Sequence, residues 1–133
     1  MLLDTCAALW LMDRAHLAPA AIRAIRSAQA SDAVHVSPIS AWEIGMLTAK
    51  GRLRLDRDPQ EWFDTLLSFH GVRLADLSPT ILIASTRLPG QAPRDPADRI
   101  IAATARHHDW PVVTRDSELL PYARAGHLRA IRC

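Results

Sequence analysis

The stretch from Asp95 to Asp116, DPADRIIAATARHHDWPVVTRD, limits what this chain can fold into more than any other. Asp95 can accept hydrogen bonds from the free N–H groups of a helix start, and Pro96 at the first helical position gives up only an N–H that has no partner there. Ile100, Ile101, Ala103, Thr104 and Ala105 then supply a largely apolar helix body. Pro111 to Thr114 read as a short buried strand, and Asp116 stands just past its end. Helix, tight connection, strand and acid make half of a βαβ crossover, so the other half belongs earlier in the chain.

The earlier residues supply it. Met1 to Leu3 read as a very short strand ending at Asp4, followed by a helix over Thr5 to Asp13. A second helix is expected from near Pro19, a strand over Ala33 to Ser37, and a third helix from Ser37 or Pro38 to Ala49, with Gly51 just beyond it. RLRLDRDP reads as a loop, Pro59 to His70 as an amphipathic helix anchored by Trp62, Phe63, Leu66 and Leu67, and Val72 to Ala75 as a strand. A helix over Ser78 to Leu88, a loose PGQAPR, a short helix near Ser117 to Ala123 and an edge strand over His127 to Arg132 complete the expectation. Strands separated by helices imply a parallel sheet with helices on both faces, and such sheets bind ligands outside the carboxyl ends of their strands.

At 133 residues, residues 1–133 suit one domain with a single core. No apolar run reaches membrane-spanning length, and MLLDTCAALWLM lacks the basic start of a signal peptide. Cys6 and Cys133 have no metal-ligand spacing, which suits free thiols in the cytoplasm. A net charge of +2, carried almost wholly by arginine, decides nothing about nucleic acid.

Four carboxylates stand out. Asp4 and Asp116 follow strands, and each can be a helix cap; Asp98, three residues after Asp95, can be the far end of a capping box. Glu43 is harder to dismiss, because its helical neighbours Ile39, Met46 and Leu47 place it on an apolar stripe. A buried, unpaired ion costs several kcal/mol, so Glu43 must lean to solvent, meet an arginine, or share a site with a cation. Two carboxylates about 4 Å apart repel by roughly 4 kcal/mol at an effective dielectric near 20. Several together either take up protons or hold a divalent cation, and all-oxygen donors favour Mg²⁺ or Mn²⁺. The chemistry so implied is hydrolysis of a phosphodiester.

Four motifs carry a resemblance. LLDT at the start, SAWEI at Ser40 to Ile44, DPADRIIAATA from Asp95 and VVTRD ending at Asp116 resemble the PIN domain, specifically VapC-type toxins, in order and spacing over essentially the whole chain. The resemblance implies a three-layer α/β/α sandwich around a mostly parallel sheet of four or five strands. It implies a Mg²⁺-dependent endoribonuclease that cuts cellular RNA and arrests translation, a small antitoxin that blocks the site, and a homodimer. It makes Asp4, Glu43, Asp98 and Asp116 the acidic pocket, with Asp4 and Asp98 on the metal and the Thr114 hydroxyl in support. Relatives often have histidine where this chain has Cys6. A homodimer built from helical surface in the first two-thirds of the chain would use Trp62, Phe63, Trp42 and Met46.

Three rivals are weaker. A phosphoacceptor receiver domain needs a lysine after a late strand, and Lys50 follows the third helix; a haloacid-dehalogenase-like phosphatase needs a second Asp at position 6. A PIN-like module that binds RNA or protein without cutting would tend to lose acids, and all four are present.

Overall fold

A computed structural model describes residues 1–13 and 17–133. His16, one of the six histidines, lies outside the described residues. In chain order the elements are β1 (Leu2–Leu3), α1 (Thr5–Asp13), α2 (Pro19–Gln29), β2 (Val34–Val36), α3 (Pro38–Ala49), α4 (Pro59–Leu67), β3 (Val72–Leu74), α5 (Pro79–Ser85), α6 (Pro96–His108), β4 (Val112–Thr114), α7 (Leu119–Arg124) and β5 (Ala130–Arg132).

Helix starts follow one local rule. Helices α2 to α6 each open on proline, and in α3, α4, α5 and α6 the preceding Ser37, Asp58, Ser78 or Asp95 caps the helix with its side chain. Two helices end earlier than their apolar patterns suggest. Helix α4 stops at Leu67 rather than His70, where the Ser68 hydroxyl donates to the Thr65 carbonyl and Gly71 turns with φ of +74°. Helix α5 stops at Ser85 rather than Leu88, where the hydroxyls of Ser85 and Thr86 donate to the carbonyls of Leu82 and Ile83. The strand expected over His127 to Arg132 is confined to Ala130–Arg132.

All five strands form one parallel sheet in the order β3-β2-β1-β4-β5. Leu2 pairs with His35 and Val112, and Leu3 with Val36 and Val113. Successive strand residues face opposite sides, so the two residues of β1 feed two cores. Leu3, Val34, Val36 and Val113 pack with Ala8, Ile25, Ile44, Trp62 and Leu66 on one face. Leu2 and Val112 pack with Ile101, Ala102, Ala105, Leu119 and Tyr122 on the other. The result is a three-layer α/β/α sandwich. Trp62 and Phe63 are core residues, 2% and 7% exposed, so the expectation that they anchor a dimer from the surface is corrected; Trp42, at 57%, is exposed.

Strand order reverses at β1. Chain order runs outward through β2 and β3 on one side and through β4 and β5 on the other, which puts the switch point between the carboxyl ends of β1 and β4. Ligands of open parallel sheets bind in the crevice at such a point.

Candidate active site

Asp4 leaves β1 at the switch point and is buried. Its Oδ1 accepts from the Ala7 N–H at 2.6 Å, which caps α1, and its Oδ2 accepts from Thr114 Oγ1 at 2.5 Å. Thr114, at the end of β4, also accepts from the Asp116 N–H at 2.9 Å. Asp116 Oδ1 in turn accepts from the N–H groups of Glu118 and Leu119 at 2.7 and 2.8 Å, at the start of α7. Asp4 therefore caps α1, and Asp116 holds the turn that leads into α7, whose N-cap is Glu118; neither bond competes with a chemical role. Backbone N–H groups that hold one carboxylate oxygen offset part of its charge and fix where the other oxygen stands.

Asp98 differs. Asp95 Oδ1 caps α6 by accepting from Ala97 and Asp98, but among the described residues no bond returns from the Asp98 carboxylate to the Asp95 N–H, so the capping box is not closed. Burial, then Asp116, Asp95, Glu43 and Asp4, push the Asp98 carboxyl up to about 8. Burial also raises Asp4, against the hydrogen bonds from Thr114 and Ala7, with Asp116 adding to the rise. Glu43 is raised by burial and then by Asp95, Asp4 and Asp116, while the Thr5 hydroxyl opposes the rise. These effects place the four acids within electrostatic reach of one another, and they bring in a fifth, Asp95, which its sequence position marks only as a cap.

Glu43 sits on α3, and its Oε2 lies 2.5 Å from Thr5 Oγ1. Thr5 Oγ1 is also 3.0 Å from Ser40 Oγ. None of the ion pairs among the described residues includes Glu43. Thr5 and Ser40 are the partners that sequence reasoning missed. The available signals were a hydroxyl directly after Asp4 and another one helical turn before Glu43 on the same face.

Cys6 is exposed overall, yet desolvation of its thiol, then Asp4, Glu43, Asp116 and Asp98, push it up to about 11 and keep it protonated. Arg115 Nε donates to the Cys133 carbonyl at 3.0 Å, and its guanidinium lies 4.0 Å from the Trp10 ring centroid. His107 and His108 close α6 at the opposite edge of the sheet, where Trp110 stacks between His108 and His35.

Every donor at the acid group is a carboxylate or hydroxyl oxygen, which suits a hard cation. Among the described residues, however, no three Asp, Glu, His or Cys side chains already surround one point as ligands.

The sequence model of the PIN domain matches residues 1–125. The chain is 35% identical over 120 residues to Ribonuclease VapC22 of Mycobacterium tuberculosis, a match that covers 90% of this chain and 88% of the relative. Its fold is like that of VapBC2 from Rickettsia felis, solved bound to a DNA fragment from its promoter, with TM-score 0.67, 16% identity, and 98% and 96% of the two chains covered. FitAcB from Neisseria gonorrhoeae is also alike, with TM-score 0.58, 23% identity, and 98% and 95% covered. On the family match and the identity to that ribonuclease, the chain belongs to the PIN domain family.

Proposed function

We propose that this chain is a divalent-cation-dependent endoribonuclease, a single domain over residues 1–133 that acts in the cytoplasm as the toxin of a toxin–antitoxin pair and arrests translation by hydrolysing RNA phosphodiester bonds. The observation that carries the reading is geometric: Thr114 joins Asp4 and Asp116 across the carboxyl ends of β1 and β4, and Thr5, next to Asp4, bonds Glu43, with Asp98 close enough for these acids to raise its carboxyl. A carboxyl crowded in this way either keeps its proton or meets a cation, which marks it as a candidate for function. Likeness to Ribonuclease VapC22 supports RNA as the substrate.

Asp4 and Asp98 would hold the cation, Mg²⁺ or Mn²⁺, which when bound lowers the pKa of water and neutralises a phosphoryl oxygen. Burial and the neighbouring acids favour the protonated form of Asp98, so a bound cation would compete with a proton there. Thr114 keeps one oxygen of Asp4 occupied and so fixes the direction of the carboxylate. Asp116 and Glu43 each commit one oxygen, to the N–H groups of Glu118 and Leu119 at the start of α7 and to Thr5. The second oxygen of each is left to accept a hydrogen bond from water and orient it.

A small cognate antitoxin and a second copy of the chain complete the proposal. Trp42, exposed on α3 one residue before Glu43, is the large apolar side chain that a second copy would cover.

The test is cleavage of total RNA by purified protein with and without Mg²⁺, beside the Asp98→Asn variant. Wild type should cut only with the cation, and the variant should lose orders of magnitude. Asparagine keeps the size and cannot ionise, so it never adds a repelling charge, and the variant should melt no lower than wild type in chelator. Retained, cation-independent cleavage by Asp98→Asn would overturn the reading.

A further inference from the structure

We propose that Ser40 and Thr5 form a two-hydroxyl relay that positions Glu43. The proposal rests on the nuclease reading for its activity assay and on geometry for its content. Thr5 Oγ1 has one hydrogen and two oxygen neighbours, Glu43 Oε2 at 2.5 Å and Ser40 Oγ at 3.0 Å. An ionised carboxylate only accepts, so the Thr5 hydrogen goes to Glu43 and the Ser40 hydroxyl donates to Thr5. The relay runs from Ser40 through Thr5 to Glu43, and it ties the first turn of α3 to the first residue of α1.

Burial argues that the two hydroxyls are there for this contact. Ser40 is fully buried and Thr5 nearly so. Among the described residues the side-chain partner of Ser40 is Thr5. A hydroxyl removed from water costs stability unless it is bonded, and an alanine or valine at either place would avoid that cost.

Charge argues that Glu43 needs holding. Its side chain has three rotatable bonds, it is only partly buried, and the carboxylates facing it are Asp4, Asp95 and Asp116. Repulsion from those groups drives it outward to solvent, and no ion pair among the described residues opposes this. The hydrogen bond from Thr5 does. Thr5 and Ser40 are positioning residues, acting through Glu43 and touching no substrate.

The experiment compares wild type with Thr5→Val, Thr5→Ser, Ser40→Ala, Glu43→Gln and the double variant Thr5→Val/Glu43→Gln, by RNA cleavage, Mn²⁺ titration followed by electron paramagnetic resonance, and melts in chelator. Loss of a hydrogen bond that orients a site residue typically costs about 10–100-fold, and Thr5→Val is expected to lose RNA cleavage in that range, with Mn²⁺ affinity changed less. Thr5→Ser, which keeps the hydroxyl, should restore most of the loss, and Ser40→Ala should fall between. Against Glu43→Gln alone, adding Thr5→Val should change nothing more. Should Thr5→Val bind Mn²⁺ and cut RNA as wild type does, or Thr5→Ser lose as much as Thr5→Val, or the Thr5→Val loss persist in full beside Glu43→Gln, the relay is refuted. If wild type cuts no RNA with any cation, the nuclease reading falls, and the melts in chelator decide the relay: Thr5→Val should melt below wild type and Thr5→Ser close to it, and equal melts for all three would refute it.

Discussion

Thr114 Oγ1 and Asp4 Oδ2 meet at 2.5 Å across 110 residues of sequence, and through this contact the end of β4 holds the end of β1. Thr114 is fully buried, and the same oxygen accepts from the Asp116 N–H. Thr114→Val keeps the shape and strands both partners, so it should cost about 1–3 kcal/mol in urea denaturation. Thr114→Ser should cost less. A valine variant as stable as wild type would show that the contact does not hold the strand ends together.

The acid group sets the direction of the pH response without added cation. Asp98 rises from an ordinary 3.8 to about 8 on folding, so between those values the folded protein keeps a proton that the unfolded chain has lost. Stability therefore falls as pH rises through that window. Asp4 and Glu43, also raised, act in the same direction. His35 and His108, lowered mainly by burial from an ordinary 6.5, act in the opposite direction only at acid pH. From pH 6.5 to 8, melts in chelator should shift downward for wild type and much less for Asp98→Asn. A wild-type profile that climbs over this range would contradict the assigned electrostatics.

Two tryptophans should separate core from surface. Trp62 is 2% exposed, and Trp62→Ala should cost about 3–5 kcal/mol by removing a large core side chain. Trp42 is 57% exposed, and Trp42→Ala should move monomer stability by about 0.5 kcal/mol or less. Light scattering then tests the proposed dimer: Trp42→Ala should weaken self-association, and wild type that stays monomeric at tens of micromolar would remove the second copy from the proposal.

Gly71 has φ of +74°, and a Cβ there would stand 2.2 Å from the Gln29 carbonyl oxygen at the end of α2. Gly51 has φ of +68° and open space around it. Alanine in the left-handed region costs about 1–2 kcal/mol. Gly51→Ala should stay in that range by chemical denaturation, and Gly71→Ala should exceed it, because backbone must move. Equal costs would mean that α2 yields easily at Gln29.

Local chemistry made most elements legible. Proline after a serine or aspartate starts a helix wherever it stands in this chain, so the starts of α3 and α6 follow from Ser37-Pro38 and Asp95-Pro96 alone. Bounds at the other end were less legible, because α4 and α5 end through hydroxyls that bond back to their own carbonyls and not through a break in the apolar pattern.

By itself the sequence determined the α/β class, the positions of Asp4, Glu43, Asp98 and Asp116 relative to their elements, and the awkwardness of Glu43 on an apolar stripe, since each depends on residues within a few positions of one another. Tertiary structure alone decided what depends on contacts across the chain. It set the order β3-β2-β1-β4-β5, and so the switch point. It pinned the seemingly loose PGQAPR segment, through Arg99 to the Pro93 carbonyl, Tyr122 to the Pro89 carbonyl and Glu118 to the Arg94 N–H. It buried Trp62, and it brought Ser40 and Thr5 to Glu43. A hydroxyl's partner 35 residues away leaves no periodicity or spacing in the sequence to read; only packing supplies it.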